Sequence, residues 1–217
     1  MQAPFSFSIA GQQLWLSPSR VIYWENEQTL ILSDSHFGKT GHFRKAGIAI
    51  PQQVYQTDLQ RLFSLLQYFQ PQRLVIVGDF FHSTINKEAQ LFARWRHDHA
   101  HIRMDLVKGN HDILDPSWYA GNDIALHHSL LCMGPFGFIH EFDASPGGCE
   151  YYFSGHLHPG VVMQGMGRQH LLLPCFYFSP HYAILPAFGG FTGLARVRPV
   201  KEDNVFVIAE HQILSLQ

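Results

Sequence analysis

Five short apolar runs in this chain each end in a polar motif rich in aspartate and histidine. Leu30-Ile31-Leu32 leads into Ser33-Asp34-Ser35-His36. Leu74-Val75-Ile76-Val77 leads into Gly78-Asp79-Phe80-Phe81-His82. Met104-Asp105-Leu106-Val107 leads, through Lys108, into Gly109-Asn110-His111-Asp112. Phe136-Gly137-Phe138-Ile139 ends at His140, and Tyr151-Tyr152-Phe153 leads into Ser154-Gly155-His156-Leu157-His158. Runs this short read as buried strands rather than helices. The fold is therefore built on strands whose ends carry the chemistry, the usual arrangement in sheet-based enzymes.

The surrounding pattern sets the architecture. FSFSI and QLWL flank Ala10-Gly11-Gln12, and RVIYW and TLILSD flank Glu25-Asn26, so the chain opens with two hairpins. An apolar stripe of Val54, Leu62, Phe63, Leu65, Leu66 and Phe69 predicts a helix from Pro51 to about Phe69. Residues 84–99 predict a second helix, with Ser83 as N-cap. From Asp123 onward the apolar runs are short and punctuated by Gly and Pro, a strand-rich half. The fold class is α/β: two packed mixed sheets flanked by helices. No repeat, low-complexity tract or linker divides the chain, and 217 residues lie below the size of about 250–300 at which single cores stop growing. Residues 1–217 are expected to form one domain.

Composition narrows the class. Hydrophobic residues make up 46% and charged residues 15%, which allows a sizeable core and excludes a disordered chain. The net charge of −2 gives no global pull toward nucleic acid but leaves room for a local patch. No run of about 18 apolar residues is present, and the N-terminus has no basic segment ahead of an apolar one. Cys132, Cys149 and Cys175 are odd in number and form no CxxC, which fits reduced thiols. A cytoplasmic protein without a membrane partner is expected.

Histidine is over-represented, with 15 residues. Asp-x-His and His-x-His put two side chains on one side of an extended segment, because strand side chains alternate. Glycines before Asp79, Asn110 and His156 permit close backbone approach where strand turns to loop. Carboxylate, amide oxygen and imidazole without thiolate suit Mn, Fe or Zn. Two such ions roughly 3.5–4 Å apart can clamp a phosphate, with Asp79 placed to bridge them.

In this order, DxH, GDxxH, GNHD, a strand-end His and GHxH resemble the calcineurin-like metallophosphoesterase superfamily. SDSHFGKTGHFRKAGIAIP, SGHLHPGV and LPCFYF…LPAFGGFTG further resemble the bacterial DNA-ligase-associated metallophosphoesterases, a group regarded as related to repair nucleases. The resemblance implies a four-layer α/β/β/α sandwich. It implies two divalent metal ions, Mn2+ first with Fe or Zn as alternatives. Asp34, His36 and His158 would hold one, Asn110, His140 and His156 the other, and Asp79 both. His111 would protonate the leaving oxygen or stabilise its charge, oriented by Asp112. Attack by a metal-bridging hydroxide would hydrolyse a phosphodiester, with DNA as the expected substrate and a functional link to a DNA ligase or helicase. GDFFH and GNHD depart from phosphoprotein phosphatases, which usually continue GD with Asp-Arg and GNH with Glu. A phosphomonoesterase or cyclic-nucleotide phosphodiesterase, and a silent binding module, are the alternatives.

Other residues bear on the site. His127 and His128 are alternatives to His140 as the strand-end ligand. His82 is a candidate phosphate contact. Lys39 and Arg44, with His42 and Lys45 and with Phe37 and Phe43 interleaved, are candidates for gripping a nucleic-acid backbone. Arg94-Trp95-Arg96 reads as an exposed helix face, and Phe176, Tyr177 and Phe178 as sheet core.

Overall fold

The structure is a computed structural model. It describes residues 2–38, 53–82, 87–142, 147–164, 170–190 and 192–216. The two expected hairpins form first: β1 (Phe5–Ile9) with β2 (Gln12–Ser17), and β3 (Val21–Trp24) with β4 (Thr29–Leu32). β4 is then followed in parallel by β5 (Arg73–Val77), β6 (Arg103–Val107) and β7 (Ile124–His127). The connections carry α1 (Gln53–Phe69), α2 (Lys87–Asp98) and α3 (Pro116–Gly121). Together β1 to β7 make one mixed sheet in sequence order. The short helix α3 is absent from the sequence reading, although Asp115-Pro116 marks its start. Asp115 caps it by accepting from Ser117 N at 2.8 Å.

The second sheet runs β14 (Ala195–Arg196), β11 (Pro159–Gln164), β12 (His170–Phe178), β13 (Tyr182–Ile184), β10 (Tyr151–Ser154), β9 (Phe136–Phe138), β8 (Leu131–Met133). β15 (Asn204–Ala209) also pairs with β12, and β16 (Gln212–Leu216) with β15. β10 lies parallel to both β9 and β13.

Side-chain alternation sorts the core. Leu30, Leu32, Leu74, Ile76, Met104 and Leu106 face the helices and pack on Leu62, Leu65, Phe92 and Tyr119. Ile31, Val75, Val77 and Val107 face the second sheet and pack on Phe136, Phe138, Phe153, Phe176 and Phe178. Two packed mixed sheets with flanking helices is thus the observed architecture. The described helices all cover the first sheet. The outer face of the second carries a smaller cluster that includes Val161, Cys175, Tyr177 and Val207. Among the described residues no helix is long and apolar enough to cross a membrane.

Two expectations need correction. Arg96 does not lie on an exposed face. It is buried and donates to the carbonyls of His99, Asn122 and Asp123, tying the end of α2 to the turn before β7. Cys132 and Cys149 are not free thiols but a disulfide, with Cα atoms 6.6 Å apart. They meet because β9 pairs on one side with β8 and on the other with β10. Gly137, opposite Cys132, leaves the space that Cys149 Sγ fills, for a Cβ there would lie 3.1 Å from it.

Two outcomes are expected. Thiol titration of the denatured, unreduced protein counts one cysteine, Cys175, which is buried when folded, and reduction raises the count to the full three. Phe153, fully buried between the sheets, stacks at 5.6 Å on Phe138. Phe153→Ala should cost about 3–5 kcal/mol in urea unfolding.

Candidate metal centre

The parallel strands of both sheets deliver their motifs to a common edge. Asp34 follows β4, Asp79 follows β5, Asn110 follows β6, His140 follows β9 and His156 follows β10. The loops are laced by backbone hydrogen bonds. Asp34 N donates to Gly78 O, His36 N to Asp79 O, and Gly155 N to His140 O, at 2.9–3.1 Å.

Asp34, His36, Asp79, His156 and His158 all have φ between 47° and 65°. Left-handed backbone is costly for residues with a Cβ, by about 1–2 kcal/mol each. Such strain clusters where function over-determines the geometry. It swings each side chain off the strand direction and toward the neighbouring loops. Glycine provides the room. Gly78 has φ 79°, and a Cβ on it would lie 1.9 Å from Nδ1 of His140. A Cβ on Gly109 would lie 2.3 Å from Asp79 N and Oδ1. The glycine preceding one candidate ligand thus makes space for a candidate ligand from another strand.

Two donor clusters result, Asp34-His36-His158 and Asp79-His140-His156, the donor atoms in each lying within 4.8 Å of one another. Nε2 of His158 is 3.4 Å from Nε2 of His36 and 3.3 Å from Oδ1 of Asp34. Nε2 of His140 is 3.0 Å from Oδ1 of Asn110, 3.3 Å from Nδ1 of His156 and 3.5 Å from Oδ1 of Asp79. Donors on one cation with bonds of about 2.0–2.2 Å are spaced about 2.9–3.5 Å apart, between octahedral and tetrahedral angles. The residues therefore fit two divalent cations.

Tautomers and lone pairs agree. Nδ1 of His158 faces Gly193 O at 3.2 Å and Nδ1 of His140 faces Val77 O at 3.3 Å. Each carbonyl takes the ring proton and leaves the Nε2 lone pair directed inward. Oδ2 of Asp34 accepts from Ser33 Oγ and His156 N, while the buried Oδ1 makes no hydrogen bond. In the metal-free protein burial pushes the Asp34 carboxyl upward, but the His158 and His140 rings, when protonated, together with Ser33 outweigh it and hold it below its ordinary range. One Asp79 oxygen accepts from His111 N at 2.9 Å, and the other lies 4.0 Å from Nε2 of His111.

His111 is half exposed, and its ring packs against His82 with centroids 4.2 Å apart. His36 lies 5.5 Å from each. His82 therefore belongs to the mouth of the centre.

Asp112 has a role different from the expected one. Its Oδ1 accepts from Phe80 N and Phe81 N and its Oδ2 from Gly109 N, at 2.9–3.0 Å. It staples the Asp79 loop to the Asn110 loop rather than orienting the His111 ring. Burial pushes its carboxyl up to about 7, against the pull of those three N–H donors.

His127 gives Nε2 to Asp105 Oδ1 at 2.8 Å, between the sheets and beside Arg73 and Arg103. That engagement separates His127 from the donor clusters, which contain His140 instead. His128 is likewise in neither cluster. Lys39, His42, Phe43, Arg44 and Lys45 lie outside the described residues. The sequence reading missed residues 187–190 and Gly193: Gly189 N donates to Asp34 O and Gly193 O receives His158. The run LPAFGGFTG was their visible trace.

Asp112→Asn tests the staple, since its amide NH2 must face a backbone N–H. The metal-free variant should lose about 1–3 kcal/mol in urea unfolding. The native pKa of about 7 lies above the unfolded carboxylate value, so Asp112 stabilises wild type less as pH rises across that window. The gap should be widest near the unfolded value and shrink toward pH 7.

No family model and no curated protein matches the chain. Among solved structures it is similar to the crystal structure of a Pseudomonas putida nuclease, MPE. The two share 29% identity and a TM-score of 0.80 over 97% of this chain and 100% of that one. A fainter likeness reaches YfcE, a phosphoesterase from E. coli, at 14% identity and TM-score 0.45, covering 87% and 97% of the two chains.

Proposed function

We propose that this chain, an enzyme of the metallophosphoesterase type, hydrolyses phosphodiesters in nucleic acid, DNA first, using two divalent cations. The observation that carries the reading is the convergence of two donor clusters, at metal-ligand spacing, on one edge of the sandwich. The nuclease similarity along nearly the whole chain supports the substrate class.

In this reading Asp34, His36 and His158 hold one cation, Asn110, His140 and His156 the other, and Asp79 both. Bound together, the cations supply Lewis acidity and a water whose pKa is lowered toward neutrality. Mn2+ is the expected ion, since hard oxygen donors are mixed with imidazole. The protein's own groups do the rest. His111, half exposed beside Asp79, gives a proton to the leaving oxygen. His82, packed on His111, donates to a phosphate oxygen and holds the ester in line. Asp112 fixes the distance between the Asp79 and Asn110 loops. Lys39 and Arg44, which follow the first motif, are proposed to meet the polymer backbone.

The test is hydrolysis by metal-stripped protein with Mn2+ restored, on bis-p-nitrophenyl phosphate against p-nitrophenyl phosphate, followed by a DNA nicking gel. Diester turnover and nicking that both require Mn2+ are expected. Preference for the monoester would favour a phosphomonoesterase, and no turnover by folded, metal-loaded protein would favour a binding module. Asp79→Ala should cost at least about 10²–10³ in rate. His111→Ala should lower rate by about 10²–10⁴ with metal content unchanged. Loss of metal in that variant would remove His111 from the proton-donor role.

A further inference from the structure

Residues 187–190 cross from the second sheet to the first, and nearly every backbone polar group in them is engaged. On one side Phe188 N donates to Ser33 O at 2.8 Å and Gly189 N to Asp34 O at 3.0 Å. On the other side three consecutive carbonyls meet two guanidinium groups. Arg20 donates to Ala187 O at 3.2 Å and to Gly189 O at 3.3 Å, and Arg61 donates to Phe188 O. Asp58, one turn before Arg61 on α1, pairs with it at 3.0 Å and accepts from Gly190 N at 3.1 Å. The Arg61 guanidinium also lies 4.1 Å over the Phe188 ring.

This cluster is largely withdrawn from water. Asp58 is 6% exposed, and the arginines offset its charge. Charges placed there need a use, since burial of ions is costly unless they are paired and hydrogen-bonded. Their partners are backbone carbonyls of one segment, and among the described residues that segment touches Asp34, a donor of one cation position. It holds the carbonyl of Asp34 through Gly189, and Gly193, farther along the chain, takes the Nδ1 proton of His158. Asp79, Asn110 and His140 are fixed by other means: Asp112, the backbone around Val77, and the pairing of His140 O with Gly155 N.

We propose that Arg61, together with Arg20 and Asp58, is a positioning residue for the Asp34-His36-His158 cation site and not for the other. It acts through the 187–190 segment and touches neither cation nor substrate. The inference rests on the two-cation reading and adds that the two positions have separate supports, so one change about a helix away can uncouple them. The coupling that remains runs through Asp79, read as a ligand of both, through His36 N on Asp79 O at 2.9 Å, and through His156 N, which donates to Asp34 Oδ2 at 3.0 Å.

The experiment is titration of metal-stripped protein with Mn2+, followed by calorimetry and by electron paramagnetic resonance, on wild type, Arg61→Gln, Arg61→Lys and Gly189→Ala. Wild type is expected to bind two ions and show the signature of a spin-coupled pair. Arg61→Gln is expected to weaken one site by roughly 10–100-fold, the usual size of an outer-shell effect, while the other site stays near its wild-type value. At one equivalent of metal its spectrum should be that of an isolated ion. Arg61→Lys keeps the charge and one donor and should recover part of the loss. Gly189→Ala removes no charge, but its Cβ would lie 2.6 Å from Ser35 O, so it should reproduce the selective loss if Arg61→Gln does not fold. Folded variants that bind both ions as wild type does, or lose both equally, would overturn the positioning role. Wild type that binds fewer than two ions would overturn the two-cation reading itself, and the inference with it.

Discussion

Everything at the centre depends on backbone held where an L-residue is reluctant to go. Asp34, His36, Asp79, His156 and His158 are left-handed, at a combined cost on the order of several kcal/mol. A regular strand end would put Asp34 and His36 on one face, and His156 and His158 on one face, but would not turn one motif toward the next. The left-handed turns gather them on one side, and the hydrogen bonds between loops prevent relaxation. Asp34 N to Gly78 O, His36 N to Asp79 O and Phe37 N to Phe80 O form a short ladder that continues the sheet pairing beyond β4 and β5. The two sheets, in this sense, serve as an anvil for a strained rim.

The strain also explains why glycine and carboxylate recur beside the donors. Asp112 accepts three backbone N–H groups that the sharp loops would otherwise leave unpaired in the interior. Away from the rim, Asp105 does comparable work between the sheets, where His127, Arg73 and Arg103 surround it. Both aspartates are fully buried; Asp112 is held by backbone N–H groups, Asp105 by one hydrogen bond from His127 and by the charges of Arg73 and Arg103.

The sequence reading succeeded where local rules were sufficient. Alternation exposed β1 to β4, short apolar runs exposed β5 and β6, the 3.6-residue stripe exposed α1, and motif order brought Asp34, His36, Asp79, Asn110, His140, His156 and His158 into one list. What it could not see was set by pairing across distance. Asp112 follows His111 directly, so orientation of that ring was the natural expectation, yet the loops of Phe80 and Gly109 reach its oxygens first. Arg96 looked solvated because its partners, Asn122 and Asp123, lie beyond β6. Cys132 and Cys149 are 17 residues apart and adjacent only through β9. Arg20, Asp58 and Arg61 carry no motif, since what they bind is main chain. The sequence favoured His140, which ends FGFIH, over His127, and the structure engages His127 instead with one buried carboxylate, Asp105.

The donors are drawn from residues 34 to 158 and from both sheets. No single loop contains a complete set: Asp34 and His36 share one, but His158, which completes their cluster, lies 122 residues beyond His36. A nascent or misfolded copy therefore offers scattered histidines rather than a high-affinity trap. In small zinc domains metal can template folding; in the two-cation reading proposed here each cluster is complete only when both sheets have packed, so loading would follow closure of the sandwich.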